Sequence, residues 1–173
     1  LGADSIGLNM MFSEPDRSSP RIWQEAIRNE LGHEIDIEGV PKDLMDHDAV
    51  LAEILSKGPF VLGYEFLFDN SHGKSIGSRL HPVPIIWVKA PNPTKSSGSF
   101  FEATGVLCNL DRLSESVSFS GFLNATPDSD GMLRRVPMII RYGDNYFPGF
   151  ALATLMQTEK THQAFVKTEK NGQ

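Results

Sequence analysis

A chain of 173 residues is the size of one domain, long enough to bury about two thirds of its unfolded surface. With 40% apolar and 22% charged residues it reads as a globular protein and not as a disordered tail. Sixteen Lys and Arg against 22 Asp and Glu give a net charge of −6 with no basic stretch, so nucleic acid drops out as an expected partner. The single cysteine, Cys108, excludes an internal disulfide and a thiolate metal cage.

No run approaches the ~18 apolar residues of a membrane helix; the longest candidate, Phe60 to Phe68, contains Glu65. The chain opens on Leu1 with no signal peptide and runs straight into a strand-like pattern. Residues 1–173 are therefore expected to be one domain excised from a longer protein.

Ile6, Leu8, Met10 and Phe12 alternate with Ser5, Gly7, Asn9 and Met11, the period of a strand. After a polar loop, Ser19 and Pro20 are suited to the cap and first position of a helix that Gly32 would stop after Leu31. Ile22, Trp23, Ala26, Ile27 and Leu31 share one face of it. A second helix is predicted from about Asp46 to Gly58, with Val50, Leu51, Ile54 and Leu55 facing inward. The apolar run Phe60 to Phe68 then reads as a central strand covered on both faces. Strand, two helices and strand make a crossover unit, so the sheet starts parallel.

Residues 69–103, rich in Gly, Ser, His and Pro, are expected to be the mobile stretch, with one short strand at Ile85 to Val88. A short helix fits Asn109 to Glu115. Ser118 to Ala125 and Met132 to Tyr142 are both strand-like, and the turn signal between them predicts an antiparallel pair. Pro148 is placed at the opening of a last helix. The expected fold class is α/β: a mixed sheet with a parallel strand-helix-helix-strand crossover followed by antiparallel strands, and helices packed on the sheet.

Motifs for catalysis fail on spacing. His33-Glu34 begins like a metalloprotease motif, but Ile37 stands where the second His is needed. Aligning Gly131 with the sixth position of a calcium loop puts Pro137 where a bidentate Glu is required. No phosphate-cradling glycine loop and no nucleophile elbow occur. The five histidines, His33, His47, His72, His81 and His162, are scattered beside loops, so neither a metal nor another cofactor is expected.

Two separated segments carry a resemblance. Gly121-Phe122-Leu123-Asn124, Asp128-Ser129-Asp130-Gly131-Met132-Leu133-Arg134-Arg135-Val136-Pro137 and Tyr146-Phe147-Pro148-Gly149-Phe150-Ala151-Leu152 together resemble the second type of CHASE domain, the cyclase- and histidine-kinase-associated sensory extracellular module. The early stretch from Gly2 to Asp16 looks like that family's early strand and acidic loop, with Asn9 where members often carry Asp. The resemblance implies a non-catalytic, extracytoplasmic sensor held to the membrane by flanking helices and signalling to a cytoplasmic cyclase, kinase or diguanylate cyclase. By analogy with such receptors it works as a homodimer. Its signal, a small molecule or a protein, stays open.

An enzyme drawing carboxylates from several loops and a structural dimerisation module are the rival classes. Open sheets bind ligands beyond the carboxyl ends of their parallel strands, where this chain offers Glu14, Asp16, Asp69 and Asn70. Glu65 joins them as a carboxylate inside an apolar strand: paired, neutral, or at the sheet's polar end. Asp128, Asp130, Gly131, Arg134 and Arg135 are assigned structural roles. Arg134 shares its predicted strand face with Met132, Val136, Met138 and Ile140, so it is expected to be the more buried arginine, paired with Asp128 or Asp130 or, at longer range, Glu65.

Overall fold

A computed structural model describes residues 2–69, 79–89, 100–125 and 127–167, with the side chains of Lys42 and Lys89 excepted. Strand β1 (Ile6–Leu8) leads through α1 (Pro20–Leu31) and α2 (His47–Ser56) to β2 (Phe60–Leu67). Strands β1 and β2 are parallel neighbours, Ile6 opposite Phe60 and Leu8 opposite Leu62, as the crossover reading requires. Strand β3 (Ile85–Lys89) is followed by β4 (Phe101–Ala103), β5 (Gly105–Leu107), α3 (Asp111–Glu115) and β6 (Phe119–Phe122). The chain finishes with β7 (Ile139–Tyr142), β8 (Asn145–Pro148), α4 (Phe150–Thr158) and β9 (Ala164–Lys167).

The organising element is β2, whose residues Val61, Leu62, Gly63, Tyr64 and Phe66 are buried. It pairs parallel with β1 and β6 and antiparallel with β5. Side chains alternate across it, so its two faces meet different partners. Val61 packs with Phe119, Ala153 and Met156 under α4, while Leu62 packs with Leu55, Leu113 and Val117 under α2 and α3. Further along, Tyr64 and Phe66 join Phe122, Ile140 and Phe147 in a third cluster beneath a sheet of β4, β7 and β8. Strands β3 and β9 form a separate parallel pair.

Helix α4 lies close against the central sheet because Gly121 lets it. A Cβ at that position would stand 2.6 Å from Phe150 Cα and 2.8 Å from Phe150 N, which are backbone atoms with nowhere to move.

Three expectations are corrected. The segments 118–125 and 132–142 do not pair with each other. Strand β6 instead runs parallel to β2, and β7 starts only at Ile139, parallel to β4 and antiparallel to β8. The Asp128–Gly131 turn does form, with Gly131 at φ +80, and its hydrogen bonds close on Met132 without returning the chain to β6. Pro137, which has no N–H to give a ladder, sits in the non-strand stretch before β7. Arg134, outside any strand, is 55% exposed and therefore not buried. Ile54, placed inward on α2, is 53% exposed, and of that helix only Leu55 is buried. Sequence periodicity also missed β4, β5, β8 and β9, all of four residues or fewer. Of residues 69–103, expected to be mobile, segments 70–78 and 90–99 lie outside the described residues, while the described part holds β3 and β4.

Candidate functional site

A cleft of about 310 Å³ opens where the N-terminal ends of α1, α2 and α3 converge. In a crossover unit the helices run back against the strands, so their N-termini gather at the carboxyl ends of the parallel strands, the position that open sheets favour for ligands. The cleft is lined by Asp16, Asp46, Asp48 and Asp111 with Arg21 and Arg112, over Ile22 and Leu110.

Asp16 organises this corner. Its Oδ2 accepts the Ser19 hydroxyl at 2.5 Å and the Ser18 N–H at 3.1 Å, and its Oδ1 accepts the Ser18 hydroxyl at 2.8 Å. His47 Nδ1 lies 3.2 Å from Oδ2. The hydroxyl bonds from Ser19 and then Ser18 hold the Asp16 carboxyl well below the usual carboxylate range. Ser19, buried at the N-cap of α1, also accepts the His47 N–H at 2.9 Å. The starts of α1 and α2 are thus tied through one hydroxyl.

Asp46 plays the matching part for α2. Its Oδ1 caps the helix by accepting the Ala49 N–H at 2.9 Å, while Oδ2 meets Arg112 at 2.9 Å and Arg21 at 3.6 Å. The Ala49 N–H first, and Arg112 second, lower its pKa. Asp48 Oδ2 accepts the Asp16 N–H at 2.9 Å. The cleft therefore presents carboxylates and guanidiniums already bonded to one another, a setting for a small polar ligand that exchanges partners with exposed ion pairs. Among the described residues no group of three or more His, Cys, Asp or Glu is arranged to hold a metal.

The other candidates are not gathered here. Glu14 pairs with Arg17 at 2.6 Å on the surface. Glu65 is exposed on β2 where that strand pairs with β5, so the third of its alternatives, the polar end of the sheet, describes it. Asp69 follows β2 and its carbonyl accepts the Thr104 hydroxyl at 2.9 Å. Asn70 lies outside the described residues. In the C-terminal turn, Arg134 reaches Asp130 through two bonds of 2.9 and 2.8 Å and Asp128 through one of 3.0 Å, the expected partners in an exposed setting. Arg135 is exposed as well.

Two amides that sequence reasoning did not single out bond the backbone of β2. Buried Asn109 donates to the Gly63 carbonyl at 2.8 Å and accepts the Phe12 N–H at 2.7 Å. Asn124 bonds the backbone of Phe66. A signal for the Asp16 corner was present, since Asp followed two and three residues later by Ser-Ser-Pro is the pattern of a side-chain-closed turn before a helix.

The structure is a mixed α/β domain with polar groups converging at its helix N-termini. The chain belongs to the CHASE2 domain family, whose model matches residues 1–172, essentially its whole length. CHASE2 is a family of sensory extracellular domains. No curated protein and no solved structure matches the chain.

Proposed function

We propose that this chain is the non-catalytic signal-input domain of a transmembrane receptor, placed outside the cytoplasm and regulating a cytoplasmic cyclase, kinase or diguanylate cyclase. The observation that carries the reading is the family match across residues 1–172. No described helix is long and apolar enough to cross a membrane, so in this reading the anchoring helices belong to other parts of the parent protein. The signal, a small molecule or a protein, enters the Asp16 cleft and shifts a two-state arrangement of the flanking helices through the linked N-termini of α1 and α2. The receptor is a homodimer in this reading; α1 buries none of its residues and leaves Ile22, Trp23 and Leu31 available to a second copy.

Cysteine labelling of the parent protein in intact cells tests the placement. Ser129→Cys, in the exposed turn before Gly131, is expected to react with a membrane-impermeant maleimide without permeabilisation, above the background set by Cys108 alone. Labelling that appears only after permeabilisation would put the domain in the cytoplasm and end the receptor reading.

A further inference from the structure

A second cleft, of about 330 Å³, opens between the segment 79–84, the start of β6, Met156 of α4 and the residue His162 that follows α4. It is lined by the guanidinium of Arg79 and the imidazoles of His81 and His162, and among the described residues no acid lines it, although the whole chain carries a charge of −6. Its apolar wall is made of Phe119, Met156 and Val83, with Pro148 beside them.

The three side chains are not equivalent. His81 spends its ring inside the protein: Nδ1 lies 2.9 Å from the hydroxyl of buried Ser120, and a further hydrogen bond goes to the backbone of Val117. It fixes the floor of the cleft. Arg79 forms no ion pair or hydrogen bond among the described residues and is exposed. His162 stacks flat on Phe119, with ring centroids 4.7 Å apart and planes 16° from parallel, and its ring lines the cleft. An unpaired guanidinium and an imidazole beside an aromatic and aliphatic wall match one ligand chemistry. The carboxylate takes the fork of Arg79, and the ligand's apolar body lies along Phe119 and Met156.

We propose that the cleft formed by Arg79, His81 and His162 binds a small organic carboxylate with an aryl or alkyl body. Binding here is independent of the receptor reading, because a domain whose signal enters elsewhere would still hold such an anion at this site. Within a sensor, the site would couple the ligand to α4, which contributes Met156 to the wall and packs on β6.

The test titrates the 173-residue chain with benzoate, and separately with its uncharged counterpart benzamide, following backbone amide resonances. Benzoate is expected to move the signals of His81, Phe119 and His162, and benzamide to bind about tenfold more weakly, since a hydrogen bond to a charged group contributes roughly that much. Arg79→Ala, at an exposed position, should weaken benzoate by a similar factor while leaving the rest of the spectrum in place. His162→Ala should weaken it less. Equal affinity for benzamide, an undiminished response in Arg79→Ala, or no movement at these residues with benzoate would each overturn the proposal.

Discussion

The side-chain amide of Asn124 bonds both backbone groups of Phe66, accepting its N–H at 2.8 Å and donating to its carbonyl at 2.8 Å. Strand β6 has ended at Phe122, so Asn124 extends the β6 edge of the ladder with a side chain where backbone pairing has stopped. Phe66 itself is 1% exposed and touches Tyr64, Phe122, Tyr142 and Phe147, so its position sets the third core cluster. Replacing Asn124 by Ala strands a donor and an acceptor next to that core. The expected loss is about 2–3 kcal/mol, read as a lower urea midpoint at unchanged slope. Asn124→Asp keeps the acceptor but turns a negative charge on the Phe66 carbonyl, and should fare no better. A midpoint within error of wild type for Asn124→Ala would mean that water replaces the clip.

Gly121 and Gly131 predict a contrast that composition alone would not suggest. At Gly121 an added methyl meets the backbone of Phe150, so Gly121→Ala must push α4 off the sheet, and about 3 kcal/mol is expected, the upper part of the range for overpacking. At Gly131 the methyl finds nothing within 4 Å, and only the left-handed φ of +80 opposes it, a cost of about 1 kcal/mol. Chemical denaturation of both variants checks the order. Equal losses would show that α4 has room to slide.

These two positions also show what the sequence could and could not tell. The crossover was legible because its signals are local and repeated: Ser19-Pro20 and Gly32 bound α1, Asp46 caps α2, and the apolar run beginning at Phe60 is too continuous for an edge strand. The second half was not, because its pairings join strands of three to five residues across long separations, such as Phe101 with Ile140 and Ile85 with Ala164. A turn signal such as Asp128 to Gly131 predicts that the chain turns, not which strand it turns toward, and the misplaced burial of Arg134 followed from assuming a strand there. The candidate site was half legible. Loop carboxylates near the strand ends were read from the pattern, but Asp16 was separated from Glu14, Glu65 and Asp69 by packing that no spacing encodes, and the cleft around His81 needs residues 79 and 162 brought together by tertiary structure.

Asp16 gives the protein an acid limit. Its carboxyl is lowered from the ordinary value of 3.8 by the hydroxyls of Ser19 and Ser18, so the folded state holds its charge where the unfolded chain takes up a proton. That contribution is complete above about pH 4 and is lost as pH falls from there toward the folded-state pKa. Asp16→Asn keeps one acceptor oxygen for these hydroxyls and removes the charge. Its melting temperature should lie below that of the wild type at pH 7, with the gap narrowing steadily below pH 4. A gap that stays constant down to pH 2 would remove Asp16 from the linkage.

His81 sets a second and higher limit of the same sign. Burial first, and the nearby Arg79 second, lower its pKa from 6.5, against a smaller opposing effect of the bond to the Val117 backbone. A base whose folded pKa is depressed is neutral in the native protein while the unfolded chain is already protonated. Its contribution is therefore present above about pH 6.5 and lost as pH falls through the folded value. The groups that face it agree with this, since Arg79 adds positive charge and Ser120 none, and among the described residues no acid lines the cleft to welcome a proton. His81→Asn keeps an amide near the Nδ1 position for Ser120 and cannot titrate. Wild type should lose melting temperature between pH 7.5 and pH 5.5, and His81→Asn should lose measurably less over the same interval. Adding benzoate at pH 5.5 should recover part of the wild-type loss, because an anion beside Arg79 offsets the charge that disfavours protonated His81. Parallel pH profiles for the two proteins would show that His81 keeps its proton equilibrium unchanged on folding.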